Sequence, residues 1–426
     1  MAFKVATVQS LVPAVTGAFE ITETGFGTPK AALLLASSGQ SDDTLTNIAC
    51  MSIGATDGTN QNAVGSVDLH GLLTTNAARI AATDECIMLP NVGSMYAEAN
   101  FTTWITDGVR LTVGAENTGV QRKLTAILFG GDDVSAKVGS IALSTQNTAV
   151  PVTSVGFEAD IVFFWCHGGA MDDAELTHHI LSFGVAHNDG AGTVTKRGIG
   201  IASQDNLATS ETGSVFWTDG CGGQELWAGE TWRLDVQDFD SSGFDVVARD
   251  GASGSDVVGY LALKFTGGNS KVVDLTYPTS TGAAAVTGIG FTPALALEAM
   301  SYNTSTDAHS ATIGAGLMIG AADGTNESSV GIQSEDAQGT SDTSSIADAV
   351  LVNQYTQNGV ADQKASFTSF DADGWTRNFS AATTAYKGFG VAIGTGASGR
   401  IMGSLAGAGG LAGYGGLAGQ GGGLAG

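Results

Sequence analysis

The stretch GFGTPKAALLL, residues 25–35, is the most informative part of the sequence, because it joins a glycine-bounded turn to a run of apolar residues and recurs twice along the chain. Its counterparts are GFEADIVFF at residues 156–164 and GFTPALAL at residues 290–297. The phenylalanines of the three stretches stand 131 and 134 positions apart. Self-similarity at such a long period is the sequence signature of tandem structural units. The pattern therefore predicts three copies of one domain.

Three further landmarks follow in the same order in each copy. The first is a strand that runs into a glycine turn, the next is a glycine turn between two strand-like runs, and the last is a closing apolar strand. Agreement over four landmarks in one order favours three tandem domains over chance similarity in a glycine-rich chain. The strand-and-turn segments are residues 53–60, 183–190 and 319–326, the glycine turns surround Gly108, Gly243 and Gly374, and the closing strands are residues 124–129, 260–265 and 389–393.

A shorter element, a basic residue followed by apolar ones, recurs four times although there are three domains. We expect it to close one sheet as the chain passes toward the next unit. No proline-rich or charged linker separates the copies, which favours a rod of abutting modules. The element begins at Lys4, Lys137, Lys271 and Arg400, and the predicted boundaries are 1–136, 137–270 and 271–402 for the domains and 403–426 for a glycine-rich tail.

Each copy is predicted to be all β. Most runs between turn signals are short and rich in Val, Ile, Leu, Phe and Thr, and several alternate apolar with polar residues, as in residues 109–113. That alternation is typical of a half-buried strand, and Asp-Gly turns mark hairpins. We expect about seven or eight strands per copy, in an antiparallel β-sandwich of the jelly-roll or immunoglobulin-like kind. A short helix is predicted near residues 172–179.

The charge balance argues against two kinds of partner. The 426 residues carry 42 acidic and 17 basic side chains, a formal net charge of −25. Such a field repels nucleic-acid phosphates and anionic lipid. The first residues show no charged region followed by an apolar run, and no apolar stretch is long enough to span a membrane. We therefore expect no nucleic-acid partner, no membrane insertion, and assembly in the cytosol.

Soft metal ligands concentrate in the middle copy, yet their spacing is not that of a metal motif. No H-x-x-x-H or H-E-x-x-H pattern occurs, so exposed loop histidines are favoured over a zinc or copper site. The cysteines lack C-x-x-C spacing and do not fall at equivalent places in the copies, which predicts buried free thiols without disulfides. The residues concerned are His167, His178, His179 and His187, and Cys50, Cys86, Cys166 and Cys221.

One segment resembles a calcium-binding loop. Residues 238–243 read D-x-D-x-S-G, and Asp371 and Asp373 before Gly374 partly echo them. An EF-hand loop needs a bidentate acid at its twelfth position, where Arg249 stands. A hairpin turn whose carboxylate caps its own backbone explains the segments better than calcium does.

Two further groups of residues are candidate sites. Acidic residues at equivalent places in the copies are interpreted as solvated loop turns. Four tryptophans of the second copy are candidates for a sugar-stacking surface, with core packing as the favoured alternative. The acidic residues are Asp42, Asp43, Asp172, Asp173 and Asp307, and the tryptophans are Trp165, Trp217, Trp227 and Trp232.

No motif points to catalysis. A G-x-S-x-G elbow is absent, and the G-x-G-x-x-G match at residues 421–426 follows no predicted strand and opens no predicted helix. We therefore assign no catalytic, cofactor-binding or metal-binding residue, expect no cofactor, and predict that the protein is not an enzyme.

The tail has a regular pattern of its own. Its leucines recur at six- and seven-residue steps between glycines. In a polyproline II helix, a six-residue step places such side chains on one side, so the tail could dock along a groove or pack against other copies. A flexible spacer is the alternative. The leucines are Leu405, Leu411, Leu417 and Leu424.

The G-F-x-P-x-A-L motif, followed by strands and a closing apolar run, resembles repeat domains in virion structural proteins of tailed bacteriophages. The resemblance covers about residues 1–402, although the second copy carries Glu158-Ala159-Asp160 where the others have Thr-Pro. It implies a tail or fibre component that takes part in host attachment, located in the virion and assembled in the host cytoplasm.

The expected partners are other copies of the chain, with a trimer as the fibre symmetry, and other virion proteins. A host-surface receptor or glycan is a further expected partner. Two alternatives stay open. One is a capsid decoration or head-spike protein, and the other is a carbohydrate-binding or hydrolytic module of an extracellular scaffold.

Overall fold

The computed structural model describes residues 3–116, 119–251, 256–310, 314–355 and 359–395. The element that begins at Arg400, the leucine pattern of the tail and the glycine match at residues 421–426 lie outside the described residues. Strands that form antiparallel sheets account for most of the described chain. The predicted all-β, multidomain fold is confirmed.

The first domain is a sandwich of two antiparallel sheets. Its large sheet has the strand order β1-β10-β3-β4-β5-β6 and its small sheet the order β2-β9-β8-β7. The strands are β1 (Lys4–Val12), β2 (Gly17–Thr22), β3 (Pro29–Ser37), β4 (Ile48–Thr56), β5 (Gln61–Leu69), β6 (Ala77–Ala82), β7 (Ile87–Asn91), β8 (Ser94–Ile105), β9 (Gly108–Glu116) and β10 (Arg122–Gly130).

The second domain repeats this plan, with β11-β21-β13-β15-β16-β17 as its large sheet and β12-β20-β19-β18 as its small one. A 3₁₀ turn, Thr153–Val155, follows β12. The strands are β11 (Val134–Ala142), β12 (Ala149–Val152), β13 (Ile161–Cys166), β14 (Leu176–Thr177), β15 (His179–Asn188), β16 (Val194–Ser203), β17 (Thr212–Trp217), β18 (Gly223–Leu226), β19 (Gly229–Asp240), β20 (Gly243–Asp250) and β21 (Val257–Phe265).

The third domain has the large sheet β22-β31-β24-β25-β26-β27 and the small sheet β23-β30-β29-β28. Its strands are β22 (Gly268–Thr276), β23 (Gly282–Val286), β24 (Leu295–Ser301), β25 (Ala315–Ala322), β26 (Glu327–Ser334), β27 (Thr343–Asp348), β28 (Val352–Tyr355), β29 (Ala361–Asp371), β30 (Gly374–Ala382) and β31 (Lys387–Thr395).

Two local expectations differ from the structure. Each sandwich has more strands than expected, and four of them run as one meander within the large sheet, where a jelly roll would alternate between sheets. The helix predicted near residues 172–179 is wrong, because that segment is a loop containing β14, which pairs with β6 of the first domain. Tertiary pairing therefore decides the conformation of this segment.

The three large sheets share one hydrophobic core. One face of each packs on its own small sheet, and the other faces a central cluster to which all three domains contribute. Apart from the edge strands β1, β11 and β22, the large-sheet strands are therefore largely buried on both faces, as the burial of residues 31–37 in β3 and of all of β13 shows. In the small sheets, β9 alternates between buried and half-exposed residues. Apolar runs and alternating runs in the sequence thus mark different sheets.

Aromatic rings tie the shared core together across a domain boundary. Phe163 and Phe183 of the second domain stack with centroids 6.0 Å apart, and Phe183 stacks on Phe389 of the third domain at 6.0 Å. All three side chains have no exposed surface. Because the core is common, the domains close into a ring around it, and the predicted rod is wrong.

Glycines of the repeated strand-and-turn landmark are explained by close backbone approach. Gly54, Gly184 and Gly320 lie at equivalent positions on β4, β15 and β25. A Cβ atom at any of them would overlap a carbonyl oxygen of the loop that leads into the small sheet. The glycines therefore set the distance between the two sheets of each sandwich.

The ring has two distinct ends. At one end, which we call the link end, residues 131–133 and 266–267 connect consecutive domains, and both Lys4 and Thr395 lie there at the ends of β1 and β31. At the other end, which we call the axial end, the loops after β5, β16 and β26 lie close to the pseudo-threefold axis.

Candidate interfaces between the domains

Each large sheet is extended at its outer strand by a loop from a neighbouring domain. We call these loops, residues 38–47, 167–178 and 302–310, the clasp loops. The loop of the second domain pairs with β6, that of the third with β17, and that of the first with β27. The paired residues are Leu176 with Arg79, Ser310 with Ser214, and Thr46 with Ser345. Each clasp loop thus contacts the preceding domain, and because the loop of the first domain contacts the third, the contacts form a closed cycle.

An aspartate with positive φ stands at the same place in each clasp loop. Asp43, Asp173 and Asp307 have φ values of 54°, 62° and 53°. The backbone N–H of each donates to a carbonyl of the neighbouring domain, at 3.0, 2.9 and 2.8 Å respectively. Aspartate tolerates this left-handed conformation better than most residues do. These residues are exposed turns, as expected, and their backbones also join the domains.

The side chains of the clasp aspartates have different surroundings. Asp43 receives hydrogen bonds from Lys364 and Tyr355, which outweigh the effect of burial and hold its pKa below the usual value. The pKa of Asp173 is raised by burial and by the carboxylates of Asp84 and Asp172. The clasp loop of the first domain is therefore stabilised by an ion pair through Asp43, whereas Asp173 in the clasp loop of the second domain lies near other carboxylates.

The axial loops, residues 70–76, 204–211 and 335–342, are bonded to one another in a cycle. Each contains one hydroxyl that donates to a carbonyl of the next domain and accepts from a backbone N–H of that domain. Thr75, Ser210 and Ser341 supply these hydroxyls. The donated bonds are Thr75 to Gln204 O at 2.8 Å, Ser210 to Glu335 O at 2.6 Å and Ser341 to Leu69 O at 2.7 Å, and the accepted ones come from Leu207, Gln338 and Leu72 at 2.8, 2.9 and 3.0 Å.

Backbone groups reinforce the same cycle. The N–H groups of Thr75, Ser210 and Ser341 donate to carbonyls of the neighbouring domain, and their own carbonyls accept in return. Each clasp loop contacts the preceding domain and each axial hydroxyl donates to the following one, and in both sets the third and first domains are also joined. The hydrogen bonds thus give the single chain the closure of a cyclic trimer.

Three buried polar side chains lie just inside the axial loops. The sheet register makes Asp68, Ser203 and Ser334 equivalent, and their exposed fractions are 1%, 0% and 2%. Burial raises the pKa of Asp68 to about 6, opposed by the nearby Ser203 and Ser334 hydroxyls and reinforced by Asp205. The first domain therefore carries an ionisable group where the other two carry hydroxyls.

At the link end the three contacts are alike in place but not in chemistry. Val138 N–H donates to Asp57 Oδ2 at 2.9 Å, and Thr7 N–H donates to Asp323 Oδ2 at 2.8 Å. At the boundary of the second and third domains His187 occupies the aspartate position, and its Nε2 donates to Ser270 O at 2.8 Å. The histidine supplies a donor where the aspartates supply an acceptor.

A neighbouring position also differs among the three boundaries. Asn62 donates to Gly139 O at 2.8 Å and accepts from Trp165 Nε1 at 2.8 Å. Its equivalent Arg197 forms an ion pair with Asp274. At the boundary of the third and first domains the equivalent is the small Ser328. The link end of that boundary is therefore the least filled of the three.

The candidate metal-ligand histidines are not brought together. His167 and His179 are buried, and burial followed by the charge of Arg79 lowers the pKa of each to about 3. His179 Nδ1 lies 2.8 Å from Ser66 Oγ of the first domain. The expectation of exposed loop histidines is wrong for these residues and for His187, because they line domain boundaries.

No group of three or more His, Cys, Asp or Glu side chains placed to hold a metal occurs in the described part of the chain. The four cysteines are buried and free, as predicted. Burial raises the pKa of Cys166 to about 11, so its thiol stays protonated at neutral pH. Among the described helices, none is long and apolar enough to cross a membrane.

The tryptophans proposed for sugar stacking are mostly internal. Trp165, Trp217 and Trp232 have no exposed surface, and Trp165 contributes to the shared core. Trp227 lies against His178 with ring centroids 4.8 Å apart. Three of the four side chains therefore pack the protein, and the favoured alternative of core packing is confirmed for them.

The calcium-like segment is a hairpin turn. Asp240 Oδ1 accepts hydrogen bonds from Ser242 N at 2.6 Å and Gly243 N at 2.9 Å. Asp373 instead accepts from Gly288 N and Gly290 N of a facing loop, at 2.9 and 2.5 Å. The carboxylates serve backbone amides, but only the first caps its own turn.

Sequence reasoning missed the axial hydroxyls and the link-end aspartates. The signal was present as repetition, because Thr75, Ser210 and Ser341 stand at nearly the period of the domains. A lone hydroxyl in a polar loop carries no chemical motif, so only the three-dimensional cycle distinguishes it.

No known family model matches the sequence, and no curated protein is significantly similar to it. The geometry of the interfaces is therefore the basis on which a function is proposed.

Proposed function

We propose that this chain is a structural protein of a tailed-bacteriophage virion, a tail or fibre component that takes part in host attachment. One observation carries the proposal: three sandwiches of one chain close around a shared core through cyclic hydrogen bonds. Such closure makes a rigid threefold unit from one polypeptide, which suits a building block of a particle. The repeated G-F-x-P-x-A-L motif and the acidic composition support the same role.

The proposed partners are other copies of the chain, other virion proteins, and a receptor or glycan at the host surface. We propose neither nucleic-acid binding nor membrane insertion, and the role is constructive rather than catalytic. The location is the virion, after assembly in the host cytoplasm.

The pseudo-threefold ring also favours the second candidate, a capsid decoration or head-spike protein. A body with three equivalent domains and both described chain ends at one end can sit on a threefold position of a shell. The third candidate, a carbohydrate-binding or hydrolytic module, is weakened because three of its four candidate tryptophans are buried.

Electron microscopy of the native particle, with an antibody against the chain, tests the proposal. Label at the tail or fibre supports it, label on the head surface supports the decoration alternative, and absence from particles contradicts both. Light scattering of the purified full-length chain tests self-association. We expect a multimer at micromolar concentration, and a stable monomer would contradict the proposed homo-oligomer.

A further inference from the structure

Three oxygen-bearing side chains meet beneath the axial loops. Asp68, Ser203 and Ser334 stand at the axial ends of β5, β16 and β26, one in each domain, and none of them is more than 2% exposed. Burial raises the pKa of Asp68 to about 6, and the two hydroxyls oppose that rise although they belong to the other two domains. The three side chains therefore lie close together near the pseudo-threefold axis.

The oxygens of these side chains do not satisfy one another. Asp68 Oδ1, Ser203 Oγ and Ser334 Oγ have no hydrogen-bond partner among the described residues. The hydroxyls are thus close enough to affect the carboxyl without reaching hydrogen-bonding geometry. Buried polar atoms are as a rule paired with a partner, so three unpaired oxygens at one place point to a ligand that they share.

The hydrogen bonds of the axial loops hold this place rigid. Leu69, Gln204 and Glu335 directly follow the three residues in the chain, and their carbonyls accept the bonds from the axial hydroxyls. Each of the three strand ends is therefore tied to a neighbouring domain one residue beyond the unpaired oxygen. The positions of the oxygens are fixed before any ligand binds, which lowers the entropic cost of binding.

The charge at this place is negative. The Asp205 carboxylate of the second domain reinforces the raised pKa of Asp68, after the larger effect of burial. Asp205 Oδ1 accepts from Ala77 N at 2.9 Å, and Ala77 is the cross-strand partner of Asp68. Two carboxylates from two domains are thus neighbours, and like charges that lie close together ionise readily only beside an opposite charge. The place favours a cation over an anion or a neutral molecule.

The donor atoms indicate which cation fits. The carboxyl and hydroxyl groups named above offer oxygen alone, whereas zinc and copper prefer nitrogen and sulfur. Calcium takes about six to eight oxygen ligands in flexible geometry, whereas magnesium demands a stricter octahedron and retains several waters. Two carboxylates also balance the double charge of a calcium ion.

We propose that Asp68, Ser203 and Ser334 bind one calcium ion near the pseudo-threefold axis, with Asp205 supplying the second negative charge. The ion joins the three domains at their common centre. In calcium-free solution a proton neutralises Asp68 instead, in keeping with its raised pKa. The inference concerns the axial end and is independent of the proposed role in the virion.

Calorimetric titration of the full-length protein with calcium chloride tests the proposal. After treatment with a chelator, the parent should bind calcium at one tight site per chain at neutral pH. Asp68→Ser gives the first domain the residue that the other two domains carry, and it should weaken binding at least about 100-fold, because a charged ligand is lost. Asp68→Asn, which keeps the size of the side chain, should show the same loss.

The two serines test whether all three domains contribute. Ser203→Ala and Ser334→Ala each remove one oxygen without breaking a hydrogen bond of the described residues. Each should weaken calcium binding about tenfold. Full affinity in both variants would show that the carboxylates suffice, and it would overturn a site shared by three domains.

Asp240→Asn is the matched control. Asp240 belongs to the calcium-like hairpin turn, where its carboxylate accepts from Ser242 N and Gly243 N. This variant should keep the tight site, and sodium chloride at equal ionic strength should not replace calcium. A parent without a tight site, retention of the site in Asp68→Ser, or its loss in Asp240→Asn would overturn the proposal.

Hydrogen exchange locates the ion. The N–H groups of Leu72, Leu207 and Gln338 donate to the axial hydroxyls. Calcium should slow their exchange at least about tenfold relative to the calcium-free protein, because binding suppresses local opening. The Val138 amide at the link end should be unaffected. Slowing at the link end without slowing in the axial loops would overturn the placement of the ion.

Discussion

The axial end and the link end of the ring both join neighbouring domains by hydrogen bonds, but they use different side chains to do so. At the axial end, three equivalent hydroxyls make the same pair of hydrogen bonds to the next domain. At the link end, the equivalent contacts use Asp57, Asp323 and His187, with opposite donor and acceptor roles. Both ends bond to backbone groups, but threefold equivalence is retained only at the end close to the axis.

The difference follows from what each end must accommodate. Axial loops meet around one axis, so a change in one loop alters its contacts with both neighbours. At the link end, two boundaries are crossed by the chain and the third is not, so the three environments are not equivalent. Side chains at the link end can therefore differ among the three boundaries, because they do not meet at one axis as the axial loops do.

The largest loss of stability is expected from a substitution in the shared hydrophobic core, on which both the axial end and the link end rest. Phe183→Ala should lower the free energy of unfolding by about 3–5 kcal/mol, because it leaves a cavity between fully buried rings. Hydrogen exchange in β31 of the third domain should also accelerate. Phe244→Ala, within the sandwich of the second domain, is the matched control and should leave β31 protected. Protection of β31 in both variants would argue against a shared core.

The next largest effect on stability is expected from Asp68, the ionisable side chain near the axial end. The Asp68 pKa is about 6 in the folded chain, against about 3.9 when unfolded. The folded state therefore holds a proton that the unfolded state has released, and this group lowers stability by about 3 kcal/mol as pH rises from about 4 to 7. Below about pH 4 both states are protonated and this contribution vanishes.

Denaturant unfolding at several pH values measures this contribution. Asp68→Asn should remove that part of the pH dependence and be more stable than the parent at pH 7. Asp133→Asn, which changes a carboxylate away from the axis, serves as the control. A parallel pH profile for parent and Asp68→Asn would contradict a proton held by Asp68.

The symmetry of the axial end can be tested directly. Ser210→Ala removes the partner of both Glu335 O and Gln338 N in a buried site, so the free energy of unfolding should fall by about 1–3 kcal/mol. Ser341→Ala should lower the free energy of unfolding by a similar amount. The exposed Ser380→Ala should have little effect. Clearly unequal values for Ser210 and Ser341 would break the proposed equivalence of the three axial loops.

A smaller loss of folding stability is expected from substitution of His187 at the link end. His187→Asp directs a carboxylate at the Ser270 carbonyl, and we expect a loss of about 1–2 kcal/mol at neutral pH. His187→Asn keeps a donor and should be milder. If the aspartate were tolerated as well as the asparagine, the donor role of His187 would be refuted. Thermal unfolding at fixed protein concentration compares the variants.

Much of the domain architecture could be predicted from the repeat. Equivalent landmarks such as Gly54 and Gly320 mark the same place in each sandwich, because close packing of two sheets leaves no room for a Cβ. The all-β fold followed from strand-length apolar runs and Asp-Gly turns. Free, buried cysteines were expected because they lack C-x-x-C spacing and equivalent places in the copies, and the structure has all four buried and free.

The buried ion pair of Glu298 shows why contacts between side chains could not be predicted from the sequence. Leu34 and Phe164 have Glu298 as their equivalent in the third domain, and its carboxylate pairs with the buried Arg377 at 2.7 Å. No local pattern distinguishes this glutamate from an exposed one. Its partner lies on the other sheet of the sandwich, far away in the sequence.

Local periodicity along the chain was enough to indicate three domains and their β-sandwich class, and it marked the glycines at which backbones approach closely. Closure of the domains into a ring, the placement of His187 and Asp323 at domain boundaries, and the hydroxyls that bind across the axis became visible in the three-dimensional packing alone. Those contacts join residues that are distant in the chain. Their geometry is set by the common packing of three large sheets, which no single repeat contains.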